Sequence, residues 1–149
     1  MNTTEPEPSC LTKPRIPIDV NADCQSIFVN ARAPEVYRRL LRFEDLPRFL
    51  TSILNITNIT TNGFSCTSLI NGEKIQSDVL IMMRVPDRRI AWQALSDQFR
   101  VGVVFLDPLL GGGTKVTVKV RSILEPLQLT GALRHYLRNF KRLIEEDLK

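Results

Sequence analysis

The sequence predicts an α+β domain: a curved antiparallel sheet of about seven strands wrapped around a long C-terminal helix, with two short helices after the first strand. Three observations carry this. The pairs Asn62-Gly63 and Asn71-Gly72 separate runs of alternating residues, which is a strong hairpin signal. Residues 114–123 alternate clearly, with Val116, Val118 and Val120 on one face and Lys115, Thr117, Lys119 and Arg121 on the other. After Pro126 the apolar period changes from two residues to helical spacing and stays so to the C-terminus. At 149 residues, 43% of them hydrophobic and 24% charged, the chain is long enough for one domain with its own core.

Each element has its own reason. Residues 1–24 read as an irregular leader, because Pro6, Pro8, Pro14 and Pro17 forbid helix. Residues 25–149 form the domain. Its first strand, 25–30, sets Ile27 and Val29 on one face and Phe28 on the other. Pro34 opens a helix, where its missing N–H costs nothing. Val36, Tyr37, Leu40 and Leu41 form the apolar stripe of that helix, and Arg38, Arg39 and Arg42 its wet side. Residues 44–50 form a second short helix that tolerates Pro47 near its first turn. Strands follow at 52–60, 64–70, 74–85, 90–94, 99–106 and 114–123. Pro86 to Arg89 make a turn, and residues 107–113 a glycine-rich loop. Over 127–148, Leu129, Leu133, Tyr136, Leu137, Phe140, Leu143, Ile144 and Leu148 line one helix face.

Composition excludes several function classes. No apolar run approaches the roughly 20 residues that span a bilayer. The start Met-Asn-Thr-Thr-Glu-Pro-Glu-Pro has no basic opening and no apolar core of a secretory signal, so a cytoplasmic protein is expected and the sequons at Asn55 and Asn58 carry no weight. Three scattered cysteines and a single histidine give neither a disulfide framework nor a zinc site, and no metal or cofactor is expected. A net charge of +4 reads as solubility. The basic stripe Arg134, Arg138, Lys141 and Arg142 is interrupted by Glu145 and Glu146 and has no interleaved aromatics, so no DNA partner is expected.

Three segments carry a resemblance to a known family: Ser26-Ile-Phe-Val-Asn-Ala-Arg-Ala-Pro-Glu-Val-Tyr37, Phe43-Glu-Asp-Leu-Pro-Arg-Phe-Leu50, and Val85-Pro-Asp-Arg-Arg-Ile-Ala-Trp92. Together with Thr114-Lys-Val-Thr-Val118 they resemble the START-like (SRPBCC, Bet v 1-like) superfamily of helix-grip proteins, and within it the bacterial polyketide cyclase/dehydrase type. The match covers residues 25–149. That superfamily spans lipid carriers, plant hormone receptors, aromatic-polyketide cyclases, coenzyme-Q-binding chaperones and a ribosome-associating toxin. The resemblance therefore implies a cavity for a small hydrophobic ligand and does not choose a reaction.

Alternation places Phe64, Cys66, Ser68, Ser77, Val79, Ile81, Trp92, Val116 and Val118 on the inner sheet face, opposite Leu129, Leu133, Tyr136 and Phe140 of the helix. These are the expected ligand-binding residues, and a filled core is the competing reading. Gly131 and Ala132 mark close approach or open space. Cyclase chemistry needs a buried acid or base. Tyr136 is the one weak catalytic candidate. Asp78 points outward, Tyr37 faces the core from the first helix, and His135 lacks a carboxylate partner. No paired carboxylates, Ser/His/Asp set or Cys/His pair emerges, so enzyme activity stays open. The loop 107–113 either covers the cavity mouth or is a plain hairpin. Leu80, Met82, Val103 and Phe105 are apolar and outward, which points to a homodimer across the outer face or to the leader covering it. The alternative function is a non-enzymatic interaction module, or a lipid or quinone chaperone acting through a protein or ribosome partner.

Overall fold

The computed structural model describes residues 21–95 and 100–148. Along the chain run β1 (Asn21–Val29), α1 (Ala33–Leu40), a 3-10 segment (Phe43–Arg48), β2 (Ile53–Thr60), β3 (Gly63–Ile70), β4 (Glu73–Val85), β5 (Arg89–Leu95), β6 (Arg100–Pro108), β7 (Thr114–Ser122) and α2 (Pro126–Asp147). The strands form one antiparallel sheet in the order β1-β7-β6-β5-β4-β3-β2. Hairpins build β2 through β7 in sequence, and β1 closes onto β7. The sheet and α2 are the two layers of the helix-grip α+β fold expected above.

The turn chemistry explains the hairpins, with one difference. Asn71 and Gly72 both have positive φ, 52° and 82°, as a two-residue hairpin of matching twist requires. Gly63 does not have positive φ and already belongs to β3. Its glycine is needed for space, because a Cβ there would overlap the carbonyl oxygen of Val79. β1 begins four residues before the expected 25. Asn21 to Cys24 pair with Ser122 to Lys119, and Asn21 Nδ2 donates to the Leu124 carbonyl at 2.9 Å. Their short side chains, with Asn21 and Asp23 polar, hide the strand from a search for apolar alternation; the open edge of β7 supplies the reason to extend. Residues 1–20, the rest of the expected leader, and Phe99, expected to open the sixth strand, lie outside the described residues.

The core gathers Val29, Val36, Phe43, Leu46, Phe49, Phe64, Leu106, Val116, Phe140 and Ile144 between the sheet, α1, the 3-10 segment and α2. Arg39 departs from its expected place on the wet side of α1. It is buried (5% exposed), with Nη2 2.6 Å from Asp147 Oδ2 at the end of α2. Arg48 approaches the same carboxylate at 3.7 Å. The partner lies 108 residues away, where no helical periodicity of α1 could announce it. Buried Asn139 ties α2 to the chain after the 3-10 segment, donating to the Phe49 carbonyl at 3.2 Å and accepting from Arg142 at 3.1 Å. Several other cations on or beside the two helices are met within the chain. Lys141 pairs with Glu145 at 2.7 Å, Arg42 with Asp45 at 3.2 Å and Arg38 with Glu35, while Arg134 donates to Gln25 at 3.2 Å. No helix among the described residues is long and apolar enough to cross a membrane.

Candidate functional site

A cavity of about 410 Å³ lies between the inner face of the sheet and α2. Strand register builds its wall in lines across the sheet. One line runs Phe64, Val79, Ala94, Arg100, Ser122 over five strands. The next runs Ile81, Trp92, Gly102, Val120, and a third Ile90, Val104, Val118. Period-two alternation turns each of these side chains to the same face. From α2 come Leu129, Ala132, Leu133, Tyr136 and Phe140, and from the segment before β2 Leu46, Phe49 and Leu50.

The expected inner-face residues Phe64, Cys66, Ser68, Val79, Ile81, Trp92, Val116 and Val118 all border this cavity, as do Leu129, Leu133, Tyr136 and Phe140. Ser77 is buried on the same face but does not border it, and among the described residues its Oγ has no hydrogen-bond partner. Gly131 is exposed and a Cβ there would meet nothing within 4 Å, so the open space it marks is solvent. Ala132 is the small residue that faces the cavity.

The weaker candidates sort clearly. Asp78 is exposed on the outer face and accepts from Ser65 Oγ at 2.7 Å. His135 is exposed, its Nε2 3.2 Å from Asn139 Nδ2. Tyr37 packs against the core and does not border the cavity. Tyr136 borders it and is half-buried. Burial raises the pKa of the Cys66 thiol, which therefore stays protonated at neutral pH and is a poor nucleophile. Among the described residues, no cluster of three His, Cys, Asp or Glu side chains could hold a metal ion.

The glycine loop does not cover the mouth. None of residues 107–113 borders the cavity; Gly111 and Gly112, with φ of 94° and 99°, turn β6 into β7, and Leu109 N–H closes the turn on the Gly113 carbonyl at 2.8 Å. The exposed residues of the lining, Leu69, Asn71 and Gln128, mark the rim instead. Gln128 Nε2 donates to Asn71 Oδ1 at 3.1 Å, joining the start of α2 to the β3–β4 turn.

One cavity residue escaped the sequence reading. Arg100, the first residue of β6, points inward. Alternation held the signal: Arg100 has the parity of Val104 and Leu106, and Gly102 between them interrupts the apolar pattern. Burial lowers its pKa from the ordinary arginine value, yet an arginine remains a cation at neutral pH.

On the outer face Leu80 (41% exposed) and Met82 (59% exposed) are open to solvent. A bulge between Ile81 and Met83 breaks the alternation and adds Met83 to the exposed set. Val103 and Phe105 are half-buried. Arg89 and Lys119 sit 5.3 and 5.5 Å from the centre of the Phe105 ring, so this part of the expected patch is covered by cations.

No known family profile matches the chain. An uncharacterized 17.2 kDa protein of Streptomyces lincolnensis, from the melC2-rnhH intergenic region, is 26% identical over 126 residues, covering 84% of this chain and 83% of that protein. Among solved structures, a START superfamily protein of Mycobacterium smegmatis superposes with a TM-score of 0.73 at 15% identity, covering 84% of this chain and 97% of the other. The di-domain ARO/CYC StfQ of the steffimycin biosynthetic pathway gives 0.70 at 13% identity, covering 87% of this chain and 52% of that one. A Deinococcus radiodurans protein gives 0.68 at 20%, covering 82% and 95%. The chain thus has the START-like fold.

Proposed function

We propose that this protein binds an apolar or aromatic small molecule, of lipid, polyketide or quinone type, in the cavity between the sheet and α2. The observation that carries the reading is the cavity itself. Its 410 Å³ falls within the roughly 300–1,000 Å³ of small-molecule sites, and its lining is mostly aliphatic and aromatic with a few polar groups. A fully packed core would leave no such space. A START superfamily protein and an ARO/CYC among the structural neighbours support it as an analogy of fold. If the site also turns its ligand over, Tyr136, the phenol that borders the cavity, is the candidate to exchange a proton with it.

The test is native mass spectrometry of gently purified protein, then extraction of the bound molecule under denaturing conditions. A stoichiometric apolar compound is expected. The variant Ala132→Phe puts a ring into the cavity from the edge of α2 and is expected to lose that compound while still folding. A wild-type protein that never retains or takes up any apolar compound would turn the reading over in favour of a non-enzymatic interaction module. Self-association through Leu80, Met82 and Met83 is a second proposal, since exposed apolar runs mark interfaces. Light scattering should give a dimer mass that Met82→Glu returns to the monomer; a monomeric wild type would remove it.

A further inference from the structure

We propose that the ligand of this cavity is amphipathic and that its oxyanion, a carboxylate in the simplest case, is held by Arg100; this rests on the ligand-binding reading above. The argument starts from charge. Removing a cation from water costs several kcal/mol unless an anion or a set of acceptors meets it. Elsewhere this fold obeys that rule, since its buried arginine, Arg39, has Asp147 at 2.6 Å; Arg100 is half-buried, with its Nε fully enclosed. Arg100 borders the cavity, and among the described residues it has no ion pair and its buried Nε has no hydrogen-bond partner. Among the described residues, the cavity lining contains no aspartate or glutamate. No described residue of this wall offers Arg100 negative charge, and the cavity it borders is the route by which a ligand's anion would reach it.

The surroundings define a small polar end in an apolar room. Ala94 and Ser122 flank Arg100 across the sheet, and both are small enough to leave the guanidinium accessible. Tyr136 and Cys66 are close enough to interact with it electrostatically. Ser77, with its own unpartnered buried Oγ, is the next inward residue after Val79 on β4, and Val79 leads through Ala94 to Arg100. A planar guanidinium presents a fork of donors that fits two carboxylate oxygens, and the Tyr136 hydroxyl adds a donor of the same sense. The apolar body of the ligand then lies against Trp92, Val118 and Phe140.

The test compares 2-naphthoate with the isosteric neutral 2-naphthamide by calorimetry on the full chain, wild type and Arg100→Met. The wild type is expected to bind the acid about 10-fold or more tightly than the amide. Arg100→Met should abolish that preference, weakening the acid about 10-fold and leaving the amide within about 2-fold. Its melting temperature should stay level or rise, because an unpaired, half-buried charge has been removed. Equal wild-type affinity for acid and amide overturns the anchoring role and leaves the ligand-binding reading standing. So does an equal loss of both probes in Arg100→Met, which would make the arginine a structural residue. Failure of the wild type to bind either probe, together with failure to retain any apolar compound, overturns both proposals.

Discussion

Replacing Phe140 with alanine is expected to destabilise the protein by about 3–5 kcal/mol. Phe140 is 2% exposed and stands where three parts of the fold meet. It projects from α2, packs edge-on against Phe49 at 5.0 Å between ring centres, and borders the cavity. Truncation removes buried apolar area and also leaves a hole. The second term should lie near its upper range here, because the hole joins an existing cavity and the surrounding wall has little room to collapse. Urea denaturation followed by circular dichroism gives the change directly, with the slope checked for two-state behaviour. A loss below about 1.5 kcal/mol would mean that the wall relaxes inward and that the cavity is a soft feature of the fold. Phe140→Leu keeps most of the volume and should cost roughly a third as much.

The parts of the molecule legible in sequence are those encoded locally. Alternation gave the faces of β3, β4, β5 and β7 because side-chain parity in a strand is fixed by the backbone. Helical spacing gave the buried stripe of α2, and the Asn71-Gly72 turn followed from its φ requirement. What could not be read depends on distant partners or on breaks in parity. Arg39 looks like a solvated residue of α1 until α2 brings Asp147 to it. Met83 joins the outer face because a bulge shifts the count by one. The glycine run after Asp107 has the freedom of a lid, but freedom does not say which end of a sheet a hairpin closes. Arg100 was readable in principle. Its parity matches Val104, which places it on the inner face, but Gly102 between them breaks the apolar pattern that would have drawn attention to it.

Alanine at Gly63 is expected to cost about 3 kcal/mol, far more than a single methyl group normally does. The glycine faces backbone, and backbone cannot step aside. A Cβ there would overlap the Val79 carbonyl oxygen and crowd Val79 C at 3.2 Å and Leu80 Cα at 3.3 Å. Gly63 pairs with Leu80 in the β3–β4 ladder, so relief requires moving β4 away from β3 at the very point where Phe64 and Val79 enter the cavity. Gly102→Ala supplies the control. Its Cβ would meet a side chain, the Trp92 indole, approaching Cε2 to 2.6 Å and Nε1 to 3.0 Å. That ring borders the cavity and can rotate into it, so the stability loss should be nearer 1 kcal/mol. The displaced ring should instead change the emission of Trp92, the single tryptophan of the chain, and take volume from the ligand. Thermal melts and fluorescence of the two variants therefore separate two uses of glycine in one sheet. Gly63 holds strands at close range, and Gly102 makes room for an aromatic wall. A greater stability loss at Gly102 than at Gly63 would mean that Trp92 has nowhere to go, and the cavity beside it would have to be smaller than its lining implies.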